Sequence, residues 1–524
     1  MASTLVFAGD ASPSTLSGRV ARGELARLTR GVYTTLTGDP LGVVRAEWRA
    51  IVGHLLPGAV ITDRSAALAG PVDGVLYLAR PARTRDLILP GLTVRTRRGT
   101  GSVDGDILLP GGLYQASVAR GLLDNLMPSR SMGGRPGRTF DRRELGDWID
   151  RLARVYGSRR LREIRAEAER LATTLEVEPA RVQQLADLIG AAVGTRTVEG
   201  VESPALAARQ AGLPYDGDRV ARLELLADAL RSAAPQNRPA DPSDPRWLHL
   251  PFFEAYFSNY IEGTEFALDV AERVVYQGEI PPARPADAHD LTGTYEIVSD
   301  LAEMSATATD PTQFLEILQH RHQVVMAGRP ETHPGQFKVD PNRAGASEFV
   351  APTLVEGTLR AGFDRLASLD TAWERSVYMM FLVSEVHPFN DGNGRIARIM
   401  MNAELVAGGQ ARMIIPTVYR DDYLGALRRL TRNDDPSILI KALRFAHDYT
   451  AAVDYSSIRV ATEQLSATNA FNDPDGEARL RQPATSRTPG AGRTLPPGTA
   501  LKSRATKLPR LNRGRGRDPE GPGR

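Results

Sequence analysis

A mainly α protein is predicted, with an all-α C-terminal core and a smaller α+β, winged-helix-like region ahead of it. Three observations support this. From Trp247 to about Tyr449, apolar residues recur at helical spacing with one clear interruption. Residues 1–130 mix helical periodicity with short runs of β-formers set between turns. The chain of 524 residues is 42% hydrophobic and 24% charged, ordinary for a globular protein and enough for two to four cores.

The elements follow in order. Residues 12–28 suit a helix capped by Ser12 or Ser14, and 27–35 place β-formers around Gly31, as in a short hairpin or wing. A helix over 41–56 ends at Pro57-Gly58, and strands are expected at 59–62, 75–79, 86–90, 92–97 and 106–110. A Gly-rich break at 131–139 leads into a helical segment, 140–232, with helices over 142–156, 158–175 and 178–193. Four prolines within 233–246 mark a linker. The C-terminal core, 247–484, reads as helices over 251–262, 265–276, 288–307, 312–327, 353–368, 371–386, 394–407, 421–432 and 436–449. The interruption, 335–352, has turn residues between β-formers and suits a hairpin. From 485 the chain is Pro, Gly, Arg, Ser and Thr with few large apolar groups, a composition that cannot bury a core.

Composition excludes several chemistries. There is no Cys, hence no disulfide framework, thiol nucleophile or thiolate metal site. The densest apolar run, 379–383, is far short of the ~18 residues a membrane span needs. The start of the chain lacks a basic segment followed by a long apolar run, so a cytoplasmic protein is expected. The net charge of +2 hides a tail, 481–524, that carries +9 and leaves −7 for the rest. The tail is therefore a separate entity, and charge does not make the whole chain a nucleic-acid binder. A solvated tail competes there with contact to nucleic acid or lipid.

The most informative stretch runs from His387 to Arg398. An apolar helix must stop at Pro388. Gly392-Asn393-Gly394 makes a tight turn, and a new helix starts at Gly394 or Arg395. Glycines at a helix N-terminus let backbone N–H groups approach an anion, and the helix dipole adds positive potential. Arg395 and Arg398 project from one helical face. Asp391 offers a hard oxygen ligand to Mg²⁺, and His387, at the lip, has a pKa suited to taking a proton. Together these describe a polyphosphate site. The plainer alternative is a helix–turn–helix connection whose arginines pair with surface acids.

This stretch resembles the Fic family signature, H-x-F-x-[DE]-G-N-G-R-x-x-R, at every defined position. The resemblance implies transfer of AMP from ATP to a Ser, Thr or Tyr hydroxyl of a target protein. It implies His387 as the base, Asp391 as the Mg²⁺ ligand, and Asn393 with the Gly392 and Gly394 amides as transition-state stabilisers. Arg395 would hold the β/γ-phosphates and Arg398 the γ-phosphate, while Phe389 anchors the loop. Gly394 stands where a phosphorylating branch of the family has Lys, which favours AMP transfer. Ser258, Glu262 and Gly263 resemble the family's inhibitory motif, [ST]-x-x-x-E-[GN], with Glu262 closing on Arg398 in place of the γ-phosphate. The 335–352 hairpin lies where the family has a flap that docks an extended target segment, although a plain connector has the same composition. Tyr423 is either an adenine-packing ring or a core aromatic.

The N-terminal region resembles, more faintly, AbiE-type antitoxin domains, through the Leu/Val spine of 12–28, the segment 27–35 and residues 62–70. That resemblance implies a winged helix on DNA, with Arg19, Arg22, Arg27 and Arg30 on phosphates; a protein-interaction domain is the alternative. His54 is expected to be structural. Two rival functions remain: a DNA-binding antitoxin-like regulator with a Fic sensor module, and a Fic-type deAMPylase in which Glu262 positions water. No membrane partner is implied, and an oligomer is compatible with the sequence.

Overall fold

The computed structural model describes residues 4–129, 137–345 and 347–483. The tail from 485, and most of the break expected at 131–139, lie outside the described residues. Among the described residues no helix is long and apolar enough to cross a membrane.

The N-terminal region is α+β. Strands β1 (Leu5–Phe7), β2 (Ala26–Thr29) and β3 (Val32–Thr34) form an antiparallel sheet ordered β1-β3-β2. Helix α1 (Pro13–Ala21) starts where Ser12 accepts a hydrogen bond from the Thr15 amide, and it buries only Leu16. Helix α2 (Pro40–Leu55) is capped by Asp39 and packs Trp48, Ile51 and Val52 into a core with Leu76, Leu78 and Val94. Those partners come from a six-stranded sheet ordered β6-β7-β5-β4-β9-β8. Its strands are β4 (Val60–Ile61), β5 (Val75–Arg80), β6 (Leu87–Leu89), β7 (Leu92–Arg98), β8 (Ile107–Leu108) and β9 (Tyr114–Gln115). Two helices the sequence reading missed, α3 (Asp63–Leu68) and α4 (Val118–Asn125), flank this sheet. Both are short, and their polar residues are buried rather than solvated, so helical periodicity does not betray them.

The winged-helix expectation is corrected in detail. Only one helix stands between β1 and β2, and no helix–turn–helix pair precedes the β2–β3 hairpin among the described residues. Of the arginines assigned to DNA phosphates, Arg19 and Arg22 both pair with Glu24, at 3.3 and 2.6 Å, and Arg27 turns back to the Thr29 carbonyl.

Helices α5 (Arg142–Leu171), α6 (Pro179–Ala192) and α7 (Pro204–Gln210) form a second core with α4 around Leu122, Trp148, Ile149, Ile164, Ile189 and Leu206. Gly157, at φ 72° and ψ 171°, divides α5 into two helical stretches. Helix α8 (Gly217–Ser232) does not join this core: Leu223, Leu226 and Leu230 pack into the C-terminal one. The stretch read as a linker is also held there. Ala240 and Ala411 exchange backbone bonds with Gly409 and Arg238, and Arg238 pairs with Asp448. Proline content marks where regular structure stops, not whether the chain lies against a surface.

The C-terminal core continues through α9 (Leu250–Ile261), α10 (Leu268–Gln277), α11 (Pro285–Ser299), α12 (Leu301–Ser305), α13 (Pro311–Val325), α14 (Val355–Phe363), α15 (Ala372–Val386), α16 (Asn393–Ala407), α17 (Arg420–Asn433), α18 (Ser437–Ala452) and α19 (Ile458–Ala467). Its centre is α15, capped by a Thr371–Glu374 capping box and buried around most of its circumference. This explains the run 379–383: a helix enclosed by others has no solvated face to keep polar. Between α13 and α14 lies a minimal hairpin, β10 (Arg343–Ala344) with β11 (Ser347–Glu348), paired through Arg343↔Glu348 and Ala344↔Ser347.

Candidate active site

The α15–α16 corner is built by its own residues. Helix α15 ends with His387 in the left-handed region, φ 53° and ψ 60°, and Pro388 follows without an amide to donate. A non-glycine residue there costs about 1–2 kcal/mol, offset by the contacts that hold it. The His387 ring stacks on Phe349, just after β11, at 3.7 Å and 6°. Gly392 caps α16 at φ 73°, and a Cβ there would meet Met326 Sδ at 2.7 Å. The first amides of α16 have no helical carbonyl behind them and point outward as donors.

The intervening loop is clamped from several directions. The Asn393 carboxamide accepts from the Phe389 amide at 2.8 Å and donates to the Phe389 carbonyl at 2.9 Å. Asn342 donates to that same carbonyl at 2.9 Å. Both ends of the Asn393 carboxamide therefore brace the loop. His322 stacks on Phe389 at 3.7 Å, accepts from the Gly335 amide at 2.8 Å and bonds the Asp391 carbonyl at 3.1 Å. Those partners require a neutral ring with the proton on Nε2.

The named charges divide into two groups. Arg398 is buried; its Nε donates to Ser258 Oγ at 3.0 Å, and another nitrogen reaches the Ser258 carbonyl at 2.9 Å and Glu262 Oε1 at 2.7 Å. Glu262 lies so close to the start of α16 that a Cβ on Gly394 would collide with its carboxylate. Gly263, at φ 91°, ends the turn after α9. Arg395 instead pairs with Asp290 at 2.8 Å, and Asp290 also holds Arg329 at 2.8 Å. Asp391 accepts from the Gly392 amide at 2.7 Å, keeps its other oxygen 3.9 Å from Arg395, and is 55% exposed.

A cavity of about 480 Å³ is lined by His387, Gly394, Arg398, Glu262 and Tyr423, with Phe381, Leu424 and Leu427 as an apolar wall and β10–β11 as a rim. Asp391, Gly392, Asn393 and Arg395 do not line it. Tyr423 is buried at the cavity floor, with its hydroxyl 3.4 Å from Met380 Sδ and its ring beside Arg398. Sequence reasoning missed Asp290, Asn342, His322 and Asn259, whose partners are distant in the chain. The detectable signal was a polar residue on an otherwise apolar helix face, as His322 is on α13.

Burial pushes the imidazoles of His322, His387 and His447 down to about 4; for His387 the nearby Lys338 charge adds to this. The unfolded chain takes up these protons near pH 6.5, the folded one only near 4. Between those values the unfolded state binds more protons, so stability falls as pH drops through that window. His447 lies away from the cavity, bonded to the Ala411 carbonyl at 2.9 Å. His447→Gln should take up about one proton fewer on unfolding near pH 5.5, read from the pH dependence of urea midpoints. Equal uptake would place the proton elsewhere.

Residues 312–405 match the Fic/DOC family model, and the chain carries a Fic/DOC domain. Among curated relatives, the protein adenylyltransferase Fic of Nematostella vectensis is 26% identical over 250 residues, 45% of this chain and 57% of the relative. The protein adenylyltransferase fic-1 of Caenorhabditis elegans is 22% identical over 233 residues, 43% of this chain and 44% of the relative. A probable protein adenylyltransferase of Aquifex aeolicus is 31% identical over 125 residues, 24% and 36% of the two chains. The chain thus spans about half the length of the curated relatives it matches first. Among solved structures, C. elegans Fic-1 aligns over 58% of this chain and 89% of its own, at 16% identity and a TM-score of 0.34.

Proposed function

We propose that this protein transfers AMP from ATP to a side-chain hydroxyl of a target protein, and that Glu262 restrains the reaction. The observation that carries this reading is the convergence of His387, the N-terminus of α16 and Arg398 on one cavity with an apolar wall. The adenine would lie against Phe381, Leu424 and Leu427, and the phosphates over the first amides of α16. The neutral His387 ring would take the hydroxyl proton as the oxygen attacks the α-phosphorus, and pyrophosphate would leave. Charge building on the phosphoryl oxygens would meet the α16 amides and Arg398. Arg395, held by Asp290, would contribute positive potential from beneath. The target would pair along β10–β11, whose edge borders the cavity.

Asp391 suits Mg²⁺ of the kind bound through one carboxylate, with substrate oxygens and water completing the shell. One of its oxygens accepts from the Gly392 amide, the other lies 3.9 Å from Arg395 with its side chain half exposed, and no group of three or more carboxylates or histidines gathers among the described residues. When bound, the ion would neutralise phosphate charge. Asp391→Ala should therefore leave slow transfer that no longer responds to added Mg²⁺. A wild-type Mg²⁺ titration curve for this variant would place the ion elsewhere. Incubating wild type and Glu262→Gly with labelled ATP and lysate tests the whole reading, since no labelled protein in either case would refute it.

A further inference from the structure

We infer that Glu254, two turns before Glu262, sets the register of α9 on α16 and thereby fixes how well Glu262 reaches Arg398. The inference rests on the reading of Glu262 as the restraining carboxylate. Glu254, Ser258 and Glu262 recur at four-residue spacing and so share one stripe of α9. Arg398 and Asn402 share a stripe of α16 in the same way. The stripes meet in antiparallel order: Glu262 and Ser258 on Arg398, Glu254 on Asn402.

Glu254 is 4% exposed, and both of its oxygens are engaged. Asn402 Nδ2 donates to it at 2.7 Å and Arg412 at 3.0 Å. Neither donor is free to follow a shift. Asn402 is bonded in both directions to the Met413 backbone, at 2.7 and 2.9 Å, and Arg412 also donates to the Val298 carbonyl. The rest of α9 grips differently. Phe252, Phe253, Tyr256 and Phe257 are buried, but dispersion and apolar burial are non-directional and change gradually as a helix slides. Asn259 donates to Thr294 of α11 at 3.0 Å and accepts only a long bond, 3.4 Å, from Arg395 of α16, whose charge is paired with Asp290. A buried carboxylate drawn off two fixed donors has no water to replace them. Ser258 holds α9 to Arg398 itself, so Glu254 is the charged contact away from Arg398 that resists sliding, and a rigid helix carries its position to Glu262, about 12 Å away.

The test compares rates of labelled-AMP incorporation, at saturating ATP, for wild type, Glu254→Gln and Glu254→Gln with Arg412→Gln. Each is made with and without Glu262→Gly, and thermal melts verify folding. The second variant removes both charges, so a stranded Arg412 cannot account for the result. Either folded variant should raise the rate about three- to thirtyfold, below Glu262→Gly itself. In the Glu262→Gly background neither should change the rate further, because no carboxylate remains to aim. A folded variant at the wild-type rate, beside an active Glu262→Gly, would overturn the inference. So would a loss of rate in both backgrounds, which would mark Glu254 as holding only the fold. An unchanged Glu262→Gly rate would instead remove the underlying reading of Glu262.

Discussion

Glu262→Gly should raise transfer by about 5- to 150-fold, the range of a coupling worth 1–3 kcal/mol between two sites. The carboxylate and a terminal phosphate compete for the same charge-assisted donor on Arg398, which lies 2.7 Å from Glu262. Removing Glu262 leaves Arg398, 5% exposed, with Ser258 oxygens but no counter-charge. An unpaired buried charge is destabilising. The variant alone should therefore melt below wild type, and ATP should raise its melting temperature more than it raises that of wild type. Glu262→Asp, one methylene shorter, should be partly released. If Glu262→Gly transfers at the wild-type rate while folded, α9 is not the restraint.

His387→Ala should lower transfer about 10²- to 10⁴-fold, in the Glu262→Gly background as well, because only proton abstraction is lost. Nucleotide binding should persist, since Arg398 and the α16 amides are unaltered. The pH profile separates a base from a structural ring. A His387 held down to about 4 by burial is already neutral at pH 5, so activity should fall only as pH approaches 4, not through the 6.5 of a free imidazole. Loss of activity centred near 6.5 would mean that another group takes the proton, as would full activity in His387→Ala.

The α15–α16 corner was legible because its determinants are local. Pro388 forbids one more helical turn, Gly392 permits a left-handed cap, and twelve contiguous residues carry the rest. Most helices of the C-terminal core were legible for the same reason, since apolar spacing within a segment reports which face is buried. Spacing does not report what lies against that face. Hence 217–232, with no helix assigned, was placed in the 140–232 segment although the leucines of α8 pack into the C-terminal core, and 233–246 was read as a linker although Arg238 and Ala240 are bonded to that core. Nor does spacing report that the Asn393 carboxamide bonds both the amide and the carbonyl of Phe389.

By itself, then, the sequence determined the mainly helical class, the hairpin between α13 and α14, and the turn that joins α15 to α16. Tertiary structure alone decided most of the polar pairings. Arg395 could have paired with any acid, and the fold gave it Asp290; the pairing of Glu262 with Arg398 had been implied by the resemblance of 258–263 to an inhibitory motif. The fold also brought Asn402 to Glu254 and the Asp391 carbonyl to His322. The reason is that a buried polar group must find a partner or lose its hydration uncompensated, and which partners are within reach depends on how helices cross in three dimensions.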